Sequence, residues 1–205
     1  MGVLHVGVGA VRVRAVREAP LLRGRSTLKA YPRGLIPKLM AMGMRARLSS
    51  VRLSSPKSAE AFESARASAE KFVVYRSEVG NLIVTAGKVL VCRMLIDDGA
   101  QWDVGLTYHA IGTSSTTPSL SDTQLGTEVE RKQPTLKTRA GNEITLSTFY
   151  PAADCTYAIE EAGIFGSSTA GASADSGELF SRYLQSYDNS AGDYDLTFDY
   201  VLTVA

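Results

Sequence analysis

Long apolar runs are missing from this chain: no stretch approaches the roughly 18 consecutive apolar residues that a membrane-spanning helix needs. Cysteine is scarce as well. Cys92 and Cys155 are the whole complement, too few for a disulfide framework, and both are expected as free thiols, Cys92 in a buried segment and Cys155 in a turn at a strand edge. The only histidines, His5 and His109, are far apart, which leaves little for a zinc site or a histidine-based triad. Ser and Thr are plentiful, yet none sits in a nucleophile elbow. Asp97, Asp98 and Asp103 crowd one turn without the spacing of an EF-hand, and solvated acids are the simpler reading. The expectation is therefore no enzyme, no metal and no cofactor. The remaining composition is ordinary for a soluble chain, 44% hydrophobic and 21% charged over 205 residues. That length supports a real core in one domain, with room for an appendage.

Acid is nearly absent from the first part of the chain. Residues 1–58 carry 12 basic side chains against the single acid Glu18, a net of +11. Residues 59–205 carry 10 basic and 20 acidic side chains, a net of −10. Such a shift in composition reads as a boundary. Pro20, Pro32 and Pro37 interrupt the basic part, and no helical or strand period runs through it for long. Residues 1–58 are thus expected to be an extended arm that gains order on a partner. Three readings stand for it: an arm docking on neighbouring subunits, which is preferred; a nucleic-acid contact; or a dispensable segment ahead of a start at Met40, Met42 or Met44. Tyr31 is its only aromatic, which argues against stacking on bases. The first residues lack the basic start of a secretion signal, and Val6 stands where a myristoylation motif wants Ser or Thr.

Residues 59–77 read as a helical linker. Ser55-Pro56 is a helix start, and Ala59, Phe62, Ala65, Ala69 and Phe72 form a thin apolar stripe at spacings of three and four. A second helix is expected over about 86–96. Strands follow at Val104–Ile111, Val129–Arg139, Glu143–Tyr150, Thr156–Phe165 and Glu178–Tyr187, with a hairpin connection at Ala140-Gly141-Asn142. The final strand is the clearest. Tyr194, Leu196, Phe198, Tyr200, Leu202 and Val204 share one face, and Asp193, Asp195, Thr197, Asp199 and Thr203 share the other. This predicts a strand buried on one side and wet on the other. Two Ser/Thr/Gly-rich stretches, 112–123 and 166–177, read as flexible surface loops. The fold class expected is mainly β: an antiparallel β-sandwich over 78–205, with one or two short helices and an extended N-terminal arm.

Three strings carry a resemblance. They are Ala110-Ile111-Gly112-Thr113-Ser114-Ser115 running on through Ser121-Asp122-Thr123-Gln124-Leu125-Gly126-Thr127-Glu128-Val129 to Arg131-Lys132; Ile159-Glu160-Glu161-Ala162-Gly163-Ile164-Phe165-Gly166; and Leu196–Val204. In this order, over about residues 78–205, the chain resembles a module of virion structural proteins of tailed bacteriophages, commonly described as tail-fibre or structural proteins. Asn81–Lys88 is similar to the opening of that module. The resemblance implies assembly or attachment rather than a reaction, a virion location, and partners that are copies of the chain and other virion proteins. A tail or baseplate component comes first, and a capsid-surface decoration protein second. Read without the family, Gly112 and Gly126 permit sharp turns around the loop, and Glu160 or Glu161 is within reach of a salt bridge to Arg131 or Arg182.

The residues expected to make subunit contacts are Arg12, Arg14, Arg17, Arg23, Arg25, Arg45 and Arg47 of the arm and the acids Asp193, Asp195 and Asp199, across which a neighbour's arm would lie. The rival function is a carbohydrate- or receptor-binding module that attaches to a host glycan through Trp102, Tyr108, Tyr183 and Tyr187. Neither reading involves a membrane or depends on nucleic acid.

Overall fold

The alternation over residues 194–204 builds β9 (Tyr194–Val204), and its place is the middle of the sheet. The computed structural model describes residues 22–48, 57–96, 98–102 and 104–204. β9 pairs antiparallel with β1 (Leu22–Pro32) on one side and β6 (Glu143–Tyr150) on the other. β1 continues to β2 (Tyr75–Ile83), and β6 to β5 (Leu136–Ala140). At Leu82 and Ile83, β2 passes from β1 to β8 (Glu178–Asp188). Beyond β8 lie β7 (Ala158–Gly166), β3 (Leu106–Gly112) and β4 (Glu128–Lys132). The nine antiparallel strands form one sheet in the order β4-β3-β7-β8-β2-β1-β9-β6-β5.

This sheet folds back on itself at β2. Phe198 of β9 stacks on His109 of β3 with ring centroids 4.6 Å apart, although four strands lie between β3 and β9 in the sheet order. The two facing layers enclose one core that includes Leu28, Ile111, Ile164, Phe180, Leu196 and Phe198. The expected mainly antiparallel β architecture is present, with both layers drawn from a single sheet. Pro134 breaks the strand expected over 129–139 into β4 and β5, because proline has no N–H for the ladder. That break carries the chain from one free edge of the sheet to the other. The hairpin at Ala140-Gly141-Asn142 joins β5 to β6, with Gly141 at φ +59°.

Three short helices accompany the sheet, one more than the upper expectation: α1 (Leu35–Leu48), α2 (Lys57–Ala69) and α3 (Thr85–Leu95). α2 and α3 answer to the two that the pattern predicts, with Ser55 and Pro56 outside the described residues. α1 and α2 cover the outer face of the β1/β9/β6 layer, where Ile36 and Phe62 bury against Tyr31, Ala69 and Phe149. β9 is therefore buried on both sides rather than wet on one: Asp195 and Thr197 on its polar face are 1% and 0% exposed.

The boundary at residue 58 needs correction. Described residues 22–48 belong to the body, and β1 is an interior strand between β2 and β9. Among the described residues, basic side chains of β1 meet acids from the later part of the chain. Lys29 pairs with Glu70 at 3.0 Å, and Arg25 lies 3.9 Å from both Glu78 and Glu143. Arg33 donates to the Gly192 carbonyl oxygen. A composition shift looked like a domain edge because the pairing partners of β1 lie 45 to 182 residues away along the chain.

α3 packs directly on β8. A Cβ at Gly87 would lie 2.1 Å from the carbonyl oxygen of Phe180. In an isolated helix, alanine is better than glycine by about 1 kcal/mol. Here the sign reverses: Gly87→Ala is expected to cost about 1–3 kcal/mol by overpacking. A urea midpoint that stays level or rises would show that α3 does not sit on the β8 backbone.

Candidate functional site

The outer face of the β3/β7/β8 layer carries the most elaborate polar construction of the molecule. Arg182 of β8 and Glu161 of β7 both point outward there. Glu161 is fully buried and accepts hydrogen bonds from Gly126 N (3.0 Å), Thr127 N (2.8 Å) and Arg182 Nε (2.7 Å). Arg182 also donates to Asp122 Oδ2 at 2.7 Å and to the Thr116 carbonyl oxygen at 3.0 Å. Burial works against the guanidinium charge, but the hydrogen bonds it donates to its two carboxylate partners, with their charges, outweigh that cost and leave its pKa above the ordinary value. One arginine thereby ties down the whole segment between β3 and β4. Leu125 of that segment packs on Phe165 and Leu179.

Gly112 and Gly126 serve closeness rather than turning. Neither has a positive φ. A Cβ on Gly112 would fall 2.6 Å from Glu161 Oε1, and one on Gly126 would fall 2.5 Å from Ser114 Oγ.

Arg131 of β4 repeats the device on the second loop. Its Nε and Nη2 bind Glu128 at 2.5 and 2.6 Å, and its Nη1 donates to the carbonyl oxygens of Gly171 and Ser176 at 3.2 and 2.9 Å. The guanidinium carbon lies 4.5 Å from the centroid of the Phe165 ring. The two loops expected to be flexible are thus each fastened by a buried arginine. Of the ion pairs open to Glu161, the fold selects Arg182.

A second polar construction crosses the core. His109 Nδ1 meets Tyr150 Oη at 2.9 Å, and Nε2 meets Tyr183 Oη at 2.8 Å. Tyr150 Oη donates to the His109 carbonyl oxygen, and Ser26 Oγ donates to Tyr183 Oη. Donors and acceptors match in one arrangement: Nδ1 carries the proton and Nε2 accepts from Tyr183. Burial pushes the imidazole pKa down to about 3, which keeps the ring neutral. These residues come from β1, β3, β6 and β8, so the chain of hydrogen bonds joins the two layers. Nothing in the sequence pattern except a lone histidine in an apolar strand pointed to it.

The expected contact residues divide. Arg12, Arg14 and Arg17 lie outside the described residues, as do the side chains of Arg45 and Arg47. Arg23 and Arg25 are exposed on β1. Asp199 is engaged by Arg66 of α2 and by Ser147 Oγ at 2.6 Å. Asp195 accepts from Ala152 N at 3.0 Å and from the backbone of Gly34 and Ile36 at the start of α1; burial raises its pKa despite these bonds. Two of the three acids expected to receive a neighbour's arm, Asp195 and Asp199, are therefore occupied within the chain, because α1 and α2 cover them. Asp193 stays exposed at the strand end.

The aromatic patch also dissolves. Trp102 and Tyr183 are buried, and Tyr187 stacks on Tyr75 at 4.6 Å. Cys92 is exposed, not buried, because it lies on the side of α3 turned away from β8; Cys155 is buried, with its thiol pKa pushed up to about 12 by desolvation. Among the described residues, no group of three or more His, Cys, Asp or Glu is placed to hold a metal ion. No protein-family model, curated protein or solved structure matches the chain.

Proposed function

We propose that the chain is a non-enzymatic structural protein of a tailed-bacteriophage virion, built into the particle through the arginine-pinned loop face. One observation carries the reading. The first two strings behind the resemblance interlock through Glu161, which holds Gly126, 35 residues earlier, and Thr127, and through Arg182, which joins Glu161 to Asp122. A loop surface fixed before contact loses little entropy on binding, which suits a permanent assembly. Residues 1–21, with Arg12, Arg14 and Arg17, lengthen that contact onto a neighbouring copy or another virion protein and raise its effective concentration in the lattice. A tail or baseplate position ranks ahead of capsid decoration.

The test is incorporation. Leu120 sits on the loop and is 49% exposed. Leu120→Glu should fold as the parent does yet be depleted from purified particles, while the parent is found there by mass spectrometry and gold labelling. Cleavage within residues 1–21 should be fast in the isolated subunit and blocked in particles. A parent chain missing from virions would end the proposal; equal incorporation of Leu120→Glu would remove the loop face from it.

A further inference from the structure

The end of the body at α3 holds a cavity that the assembly reading does not use. α3 closes this end only partly. Between it and the two β layers lies a space of about 400 Å³, within the range of small-molecule sites, roughly 300–1,000 Å³. Its walls come from Leu90 and Met94 of α3, Leu146 and Leu202 of one layer, and Leu106 and Phe180 of the other. One charged group enters this lining, Lys137 of β5.

Lys137 reaches across from the edge strand β5 to β3, the strand beside the other edge. Its Nζ donates to the Leu106 carbonyl oxygen at 2.6 Å. Among the described residues it has no carboxylate partner, although Lys29 and Lys132 both do. Its side chain is exposed at the cavity rim, and desolvation against the wall lowers its pKa. An ammonium has three donors, and one is used. The chemistry left open is one anion with two acceptor oxygens, attached to an apolar body that fills the cavity.

We propose that this cavity binds a long-chain fatty acid, with the alkyl chain between α3 and the β layers and the carboxylate on Lys137. A carboxylate fits the two free donors and the single charge. The nearly continuous apolar lining fits an unbranched chain better than a polar metabolite.

The experiment titrates the full-length chain with cis-parinaric acid, followed by displacement with saturated acids and with hexadecanol. Saturable binding of one molecule per chain is expected. Affinity should rise about fourfold for each methylene added until the cavity is full. Lys137→Met should weaken palmitate by about tenfold or more, the worth of a charge-assisted hydrogen bond. The same change should leave hexadecanol almost unaffected. Lys137 is exposed, so this variant should fold; Leu202→Trp, which fills the cavity, provides a second route to lost binding. Absence of saturable binding overturns the proposal, as does equal loss of acid and alcohol in Lys137→Met. So does dimerisation in sedimentation that Leu95→Glu abolishes, since the mouth would then belong to a second copy. Photo-crosslinking from position 91 to residues 1–21 would overturn it too, by seating the chain's own leader in the cavity.

Discussion

Arg182→Met should lower the unfolding free energy by about 3–5 kcal/mol, the usual cost of removing one partner from a buried ion pair. The variant keeps most of the stem packing but strands Glu161, a carboxylate with no exposure. Glu161 would retain only the amides of Gly126 and Thr127. Asp122 is left with the Ser119 amide alone, and the Thr116 carbonyl loses the guanidinium, in the same step. The effect should therefore be local as well as global. Amide exchange at Gly126 and Thr127 should speed up well before the strands do. Adding Glu161→Gln should recover part of the loss, because the stranded charge is gone. Chemical denaturation and hydrogen exchange settle it. A cost below about 1 kcal/mol, with the loop amides still protected, would mean that Arg182 is not what fastens the segment.

Acid should act through His109. The imidazole pKa is about 3 in the folded chain against an ordinary 6.5. The fold thus takes up this proton less readily than the unfolded chain does. The stabilising effect is complete above the unfolded value and is lost as pH falls from 6.5 toward 3. By pH 4 the loss should be about 3 kcal/mol. The geometry supplies the reason. Nε2 already accepts from Tyr183, so a second proton there would face a hydroxyl hydrogen in a space without water-like freedom. Carboxylates titrate over the same window, so the reading is a difference. Between pH 7 and pH 4, the stability gap between the parent and His109→Gln should close by about 3 kcal/mol. A gap that stays constant would mean that the ring is not held neutral in the core.

Local pattern specifies most of the strands. β6 and β9 occupy the residues that alternation marks, 143–150 and 194–204, because a period of two along a strand is a property of a few neighbouring residues. α2 follows from apolar spacing in the same way, whereas the apolar pattern over 86–96 fits a buried strand as well as the helix that forms there. The role of Glu161 was half visible: two arginines were within reason, and only the pairing of β7 with β8 chose Arg182. β1 could not be read locally. Its residues, Leu22–Pro32, mix Arg, Gly, Ser, Thr and Lys, and they become a strand because β2 and β9 supply donors and acceptors on both sides.

Chain-local chemistry thus settled most of the extended segments and α2, but neither β1 nor α1. Which surfaces are covered was set by the folding of the nine-stranded sheet over β2 and by the placement of α1 and α2. That long-range step buried Asp195, handed Asp199 to Arg66, brought Tyr150 and Tyr183 onto His109, and fastened two loops whose composition reads as loose. The reason is physical: burial and ion pairing depend on contacts between residues distant along the chain, and hydrophobic periodicity carries no record of which distant partner will arrive.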